Sequence, residues 1–120
     1  MDKKSVLIVD DEPSVRLLIS SMLSEDYTVF QASDGEEAVS AARVHKPNLI
    51  FMDIMMPKVD GYMACYKIKS EPGLKEIPVI MLSGVGHDLN KKLGMQFGAD
   101  GYLTKPFELK ELEEVVKKYL

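Results

Sequence analysis

A chain of 120 residues with a formal net charge of −4 fits one small domain and argues against nucleic-acid binding. Apolar residues make up 46% of the sequence, which is enough to build a hydrophobic core that needs no disulfide or structural metal to stabilise it. Cys65 is the only cysteine, so an intrachain disulfide is excluded, and we expect a cytoplasmic protein. The apolar runs are as long as strands, far shorter than a membrane span requires. We therefore expect residues 1–120 to form one domain that binds neither membrane nor nucleic acid.

Five apolar runs of strand length are spaced along the chain, and polar or turn-forming residues follow each of them. The predicted strands are residues 6–9, 28–32, 49–52, 78–82 and 102–104. Near-continuous apolar strands that alternate with helices are typical of a parallel sheet covered on both faces. The sequence therefore predicts an α/β domain built from five strand–helix units.

Each predicted strand is followed by a segment with the period of an amphipathic helix. Ser33 and Glu36 have the spacing of a capping box, so we expect the second helix to begin at Ser33. The third helix is predicted over residues 62–69. The residues expected to face the core from the first, second, fourth and last helices are Val15, Leu18, Ile19 and Met22; Ala38, Ala41 and Ala42; Leu89, Leu93 and Phe97; and Leu109, Leu112, Val116 and Tyr119.

Charged or hydroxyl-bearing side chains follow four of the predicted strands. They are Asp10 and Asp11 after the first strand, Asp53 after the third, Ser83 after the fourth and Lys105 after the fifth. In a parallel sheet the carboxyl ends of the strands share one edge, so neighbouring strands would bring these groups together. Three carboxylates in such a space repel one another and need a cation, and an all-oxygen pocket suits Mg²⁺. The pattern predicts a magnesium site at this edge.

The same set of side chains suits phosphoryl transfer. A carboxylate beside a divalent ion can attack phosphorus and form an aspartyl phosphate. The transferred group carries charge on three oxygens, and the metal, the Lys105 ammonium and the Ser83 hydroxyl could each stabilise one. Each residue alone has an ordinary interpretation: the acids as a solvated turn or a helix cap, and Lys105 as a surface charge. Only the combination indicates chemistry.

Four segments resemble the receiver domain of two-component signalling, of the chemotaxis-regulator type, and the resemblance covers essentially the whole chain. They are VLIVDDE at 6–12, MDIMMP at 52–57 with DG at 60–61, VIMLS at 79–83 and GADGYLTKPF at 98–107. Each segment alone is weak, but their order and spacing together are specific. The resemblance implies a flavodoxin-like, doubly wound sheet of five parallel strands in the order 2-1-3-4-5 with five helices.

The resemblance implies that Asp53 is the phosphoacceptor of a phosphorelay. The donor would be a phosphohistidine of a sensor histidine kinase or of a histidine phosphotransfer protein. Mg²⁺ would be bound by Asp53, by Asp11 directly, by Asp10 mainly through water, and by the backbone carbonyl of Met55. We expect no enzyme activity beyond the domain's own phosphorylation and dephosphorylation.

The resemblance also assigns roles on the fourth and fifth strands. Ser83 and Lys105 would stabilise the phosphoryl group, and the Lys105–Pro106 peptide would be cis. Ser83 and Tyr102 would act as the switch that changes the face formed by the fourth helix, the fifth strand and the last helix. That face would bind a downstream target that the sequence does not name. Ser83 and Gly84 depart mildly from the family, which more often has threonine and alanine there.

Other protein classes with a similar fold or chemistry differ from this sequence in the residues that follow the first strand. A phosphatase of the haloacid dehalogenase type begins from Asp-x-Asp after the first strand, whereas the two acids here are adjacent. A flavodoxin needs a hydroxyl-rich phosphate loop, which Asp10 and Asp11 would oppose. An unphosphorylated pseudo-receiver, acting as a protein-interaction module, is the remaining alternative. The last helix carries lysines and acids but no arginine, which favours a stand-alone regulator or a hybrid-kinase receiver over a transcription factor.

Overall fold

The computed structural model describes residues 3–54, 56, 60–84 and 95–120. Its elements in chain order are β1 (Ser5–Val9), α1 (Pro13–Leu23), β2 (Thr28–Ala32), α2 (Gly35–His45), β3 (Leu49–Asp53), α3 (Gly61–Ser70), β4 (Val79–Gly84), β5 (Gly101–Lys105) and α4 (Leu109–Tyr119). The described residues thus contain all five predicted strands and four of the five predicted helices. Leu89 and Leu93, predicted to lie on the remaining helix, fall outside the described residues, whereas Met95 and Gln96 near its predicted end are helical.

The five strands form one parallel sheet in the order β2-β1-β3-β4-β5, which confirms the topology implied by the sequence. β1 and β3 are adjacent at the centre, and β4 and β5 continue the sheet on the side of β3. All strands run in the same direction, so the residues at their carboxyl ends share one edge. This order brings the ends of β1, β3, β4 and β5 side by side, although they are distant in sequence.

The two faces of the sheet carry separate core clusters. One face packs against α2 and α3 and includes Leu7, Val9, Ile50, Met52 and Met81, while the other packs against α1 and α4 and includes Val6, Ile8, Phe51, Leu82 and Leu103. Side chains alternate between the faces along a strand. This alternation assigns Asp53 and Lys105 to the α1–α4 face and assigns Ser83 and Tyr102 to the α2–α3 face.

The start of α2 corrects one sequence prediction. The helix is capped by Asp34 and not by Ser33, and the Asp34 side chain accepts a hydrogen bond of 2.9 Å from the Glu37 amide. Glu37, three residues after the cap, reaches back to the amide and hydroxyl of Ser33. The capping pattern is therefore shifted by one residue. Asp and Ser are both good caps, and an acid lies three residues after each of them.

Two residues predicted to face the core are exposed instead. Leu18 is 50% exposed, because the buried stripe of α1 runs through Ile19 and Leu23, and consecutive residues are separated by roughly 100° around a helix. Leu109 is 44% exposed; it is the first residue of α4, and the buried residues of this helix are Leu112 and Val116. The inward orientation predicted for Ala38 and Ala42 is confirmed, since both are fully buried.

Candidate functional site

A lysine joins two carboxylates at the carboxyl edge of the sheet. Lys105 Nζ, at the end of β5, lies 2.9 Å from Asp10 Oδ2 and 3.3 Å from Asp53 Oδ1. Asp10 is fully buried and Asp53 is 6% exposed. The parallel sheet thus brings together three of the residues that the sequence singled out, across up to 95 positions of the chain.

The loop after β1 is held by contacts that the sequence reasoning missed. The Glu12 amide donates a hydrogen bond of 2.9 Å to Asp10 Oδ1, and Arg16 Nη1 donates one of 2.6 Å to the Asp10 carbonyl. Arg16 Nε also contacts the Gln31 side chain, which ties α1 to β2. These contacts fix Asp10 with one carboxylate oxygen toward the loop and the other toward Lys105. Arg16 lies six residues after Asp10, where no local pattern distinguishes it from a surface residue of α1.

The electrostatics of Asp53 reflect its surroundings. Burial raises the pKa of the Asp53 carboxyl, the negative charge of Asp10 raises it further, and the Lys105 charge lowers it in part, so that the pKa lies at about 6. Burial alone would lower the pKa of the Lys105 ammonium, but its hydrogen bond to Asp10 and the charge of Asp53 outweigh this effect and raise the pKa. Lys105 therefore remains charged at neutral pH, while Asp53 is mainly ionised and its negative charge is only partly compensated.

The acidic side chains at the end of β1 fit a hard divalent cation. Carboxylate oxygens of Asp10, Asp11 and Glu12 all lie within 4.8 Å of one another, and Asp11 and Glu12 are exposed. Glu12 was not predicted as a ligand, although it is adjacent in sequence to the two that were. Asp53 is not part of that group, but the charges of Asp10 and Asp11 both raise its pKa. Several carboxylates facing one ammonium leave a local excess of negative charge, which suits Mg²⁺.

The remaining predicted site residues have different settings. Ser83 is 4% exposed and pairs in register with Thr104 of β5. Tyr102 pairs in register with Met81 and packs, partly buried, against the α2–α3 core cluster. The Lys105–Pro106 peptide is cis, as the resemblance implied. Met55, predicted to contribute a carbonyl, lies outside the described residues.

An apolar groove borders the site on the α1–α4 face. It has a volume of about 330 Å³ and is lined by Val15, Leu18, Lys105, Pro106 and Phe107. Leu17, the neighbour of Leu18 on α1, is 68% exposed. Lys105 is thus shared between the charged site and an adjacent surface rich in apolar side chains.

The model of the response regulator receiver domain family matches residues 6–117. The chain belongs to this family. It is therefore a receiver domain of the kind found in two-component response regulators. The four segments identified in the sequence and the cluster at the carboxyl edge all lie within the matched range.

The curated relatives include transcriptional regulators. The chain is 42% identical over 121 residues to the probable transcriptional regulator ycf27 of Cyanophora paradoxa, covering 100% of this chain and 49% of the relative. It is 41% identical over 118 residues to the alkaline phosphatase synthesis transcriptional regulatory protein PhoP of Bacillus subtilis, covering 98% and 48% respectively. The chain thus spans about half the length of these relatives. The sequence preference for a stand-alone or hybrid-kinase receiver stays a prediction.

Solved structures of receiver domains superpose closely. The chemotaxis protein CheY4 of Vibrio cholerae matches with a TM-score of 0.92 and 31% identity, covering 98% of this chain and 99% of that one. The receiver domain of the sensor histidine kinase PA1611 from Pseudomonas aeruginosa matches with a TM-score of 0.90 and 30% identity, covering 98% and 97%. That domain is described with a magnesium ion coordinated in its active site cleft. In the described part of the present chain, no helix is long and apolar enough to cross a membrane.

Proposed function

We propose that the domain accepts a phosphoryl group on Asp53 in a Mg²⁺-dependent reaction and catalyses only its own phosphorylation and dephosphorylation. The observation that carries this proposal is the contact of the Lys105 ammonium with both Asp53 and the buried Asp10. A buried carboxylate with a raised pKa and a cation within hydrogen-bond distance is typical of functional sites. Of the three predicted acids, only Asp53 is itself the last residue of a strand, whereas Asp10 and Asp11 lie in the loop after β1.

The proposed reaction uses groups already in place. An ionised Asp53 oxygen forms a bond to phosphorus while the bond between phosphorus and the donor imidazole breaks, and the imidazole leaves. The pKa of about 6 keeps most Asp53 carboxyls ionised at neutral pH, so no base is needed. Lys105, 3.3 Å from Asp53 Oδ1, is close enough to transfer its hydrogen bond to a phosphoryl oxygen.

The acidic residues at the end of β1 would hold the metal. Asp10 and Asp11, with Asp53 and the Met55 carbonyl, are the proposed ligands, and the position of Glu12 adds it to the candidates. When bound, Mg²⁺ would neutralise the carboxylates and stabilise the negative oxygens of the transferred group. Asp10 keeps one oxygen on Lys105, which favours the indirect, water-mediated role that the resemblance implies for it.

The proposed donor is a phosphohistidine on a protein. The groove beside Lys105 supports this, because its apolar lining offers a docking area next to the phosphoacceptor. A sensor histidine kinase or a histidine phosphotransfer protein would supply such a surface, and the predicted cytoplasmic location belongs to the same proposal. The output would be a population shift that Ser83 and Tyr102 convey to a downstream partner.

The proposal is tested by incubating the purified domain with a small acyl phosphate and weighing the intact protein. We expect a mass gain of one phosphoryl group that disappears with a chelator and in Asp53→Asn. The matched control is Asp26→Asn, because Asp26 is an exposed acid in the turn before β2. A gain that persists in Asp53→Asn would overturn the assignment, and no gain in the wild type would favour the interaction-module alternative.

A further inference from the structure

Gly61 is buried against the backbone that carries the phosphoacceptor. It is the first residue of α3, and a Cβ placed on it would lie 2.8 Å from Ile54 Cα and 3.0 Å from the carbonyl carbon of Asp53, with the Asp53 carbonyl oxygen closer still. Backbone atoms cannot relieve such contacts by changing rotamer. Position 61 therefore requires glycine because the backbone of Asp53 and Ile54 lies so close to it, and not because of an unusual backbone angle.

Hydrogen bonds hold this contact from both sides. The Gly61 amide donates to the Ile54 carbonyl at 3.0 Å, and the Ile54 amide donates to the Leu82 carbonyl of β4 at 3.3 Å. The side chain of Asp60 caps α3 by accepting a hydrogen bond of 2.9 Å from the Met63 amide. The first turn of α3 is thus joined directly to the residue that follows the phosphoacceptor.

We propose that Gly61 is a positioning residue for Asp53, an inference that rests on the phosphoacceptor role proposed above. The absence of a side chain lets α3 lie against the end of β3, and this contact sets where the Asp53 carboxylate points. The same carboxylate must stay near Lys105, which is 3.3 Å away. Any larger residue at position 61 has to displace either the start of α3 or the Asp53–Ile54 backbone.

The consequence is a loss of reaction rate in excess of any loss of stability. A displacement of about 1 Å at a reacting group can lower a rate by roughly 100-fold. We therefore expect Gly61→Ala to slow acyl-phosphate labelling of Asp53 by about 10-fold to 100-fold per folded molecule. Circular dichroism gives the folded fraction for this normalisation, and the labelling is measured well below the unfolding temperature.

Two controls separate positioning from general effects of substitution. Gly73→Ala is the matched glycine control, since a Cβ at position 73 would meet nothing within 4 Å. Val116→Ala is the stability control, because it removes core contacts far from the site. Val116 lies near the end of α4, and the contact of the Leu120 carbonyl with Lys4, just ahead of β1, places this end of the helix at the opposite edge of the sheet. Both controls should label within twofold of the wild type.

A second readout does not depend on phosphorylation. A crystal structure of Gly61→Ala should show the Lys105 Nζ to Asp53 Oδ1 separation increased beyond hydrogen-bond distance. If Gly61→Ala does not fold, Asp60→Ala takes its place; it removes the cap that holds the first turn of α3 beside Ile54, so that a positioning role of this turn predicts a loss of labelling of about threefold or more.

The outcomes are distinct. Labelling within twofold of the wild type in Gly61→Ala, or in Asp60→Ala where that variant is used, overturns the positioning role and leaves the proposed function intact. A wild type that takes no label overturns the proposed function. In that case an unchanged Lys105–Asp53 distance in the crystal structure of the variant used would overturn the positioning role as well.

Discussion

Lys105 Nζ lies 3.3 Å from Asp53 Oδ1, although the two residues are 52 positions apart in the chain. The contact depends on β3 and β5 both ending at the same edge of the parallel sheet, with β4 between them. It also leaves a cost in the unphosphorylated domain, because the lysine is shared with Asp10 and compensates the burial of Asp53 only in part.

Replacing Asp53 with asparagine should stabilise the metal-free domain at neutral pH. The pKa of Asp53 rises from 3.8 to about 6 on folding, so between these values the folded state binds a proton that the unfolded state has released. The unfolding free energy therefore falls as pH rises through this window, by up to about 3 kcal/mol, and stays low above it.

We accordingly expect Asp53→Asn to gain about 1–3 kcal/mol over the wild type at pH 7.5 and little below pH 4. Urea unfolding in the presence of a chelator measures this difference at each pH. Glu76→Gln, which neutralises an exposed acid ahead of β4, should change the free energy by less than about 0.5 kcal/mol. A gain that is equal at both pH values would show that ionised Asp53 is not the destabilising group.

Magnesium should raise the melting temperature through Asp11. An ion that binds only the folded state stabilises it by mass action, and the rise grows with ion concentration. Asp11 contributes an exposed carboxylate to the acidic group at the end of β1, so Asp11→Ala should remove most of the rise. Glu76→Ala is the control for loss of one negative charge elsewhere. Equal rises in the wild type and in Asp11→Ala would place the ion at another site.

The cysteine should be inert in the folded domain. Cys65 is fully buried, its Sγ lies 3.6 Å from the Phe97 carbonyl, and burial raises the pKa of its thiol to about 11. At pH 8 only about one thiol in a thousand would be ionised, so alkylation by iodoacetamide should be at least 100-fold slower than in denaturant. Comparable rates in both conditions would contradict this, and mass spectrometry measures them.

The positions of the strands follow directly from the sequence, whereas the positions of the helix faces follow only in part. Apolar runs such as residues 49–52 are fully buried and therefore carry a signal that does not depend on neighbours. The face of α1 depends on tertiary packing, and a one-residue step separates buried Ile19 from exposed Leu18. Ser33 and Asp34 are both suitable caps with an acid three residues later, so local sequence could not choose between them.

The sequence predicts which residues form the candidate site, but it does not predict the contacts that hold them in place. Asp10, Asp53 and Lys105 were found because each ends a strand or directly follows one, and a parallel sheet brings the ends of its strands to one edge. The close approach of Gly61 was missed, since in sequence it marks only a turn eight residues after Asp53. The contact of Arg16 with the Asp10 carbonyl was missed because it depends on how α1 packs.

Activation should reach Tyr102 through Ser83. In the proposed phosphorylated state the Ser83 hydroxyl gains a charge-assisted hydrogen bond worth about 1.5–3 kcal/mol, which shifts a two-state equilibrium roughly tenfold to a hundredfold. Alternation along the strands assigns Ser83 and Tyr102 to the same face of the sheet, next to Met81. We therefore expect a movement of Ser83 to displace Tyr102.

Amide NMR of the domain with and without beryllofluoride and Mg²⁺ tests this route. We expect shift changes at Tyr102 and through residues 89–97, and their loss in Ser83→Ala while the changes at Asp53 persist. Residues 89–94 lie outside the described part of the chain, so the test there addresses the sequence prediction. Changes confined to Asp10, Asp11, Asp53 and Lys105 would mean that the signal leaves by another face.

The central claim is that Asp53 carries the phosphoryl group, and chemical mapping tests it most directly. Borohydride reduces an aspartyl phosphate to homoserine, which tandem mass spectrometry locates in a peptide digest. After labelling with acyl phosphate and Mg²⁺, we predict homoserine at position 53 and unmodified aspartate at positions 10 and 11. Homoserine at position 10 or 11, or label that resists borohydride altogether, would contradict the account.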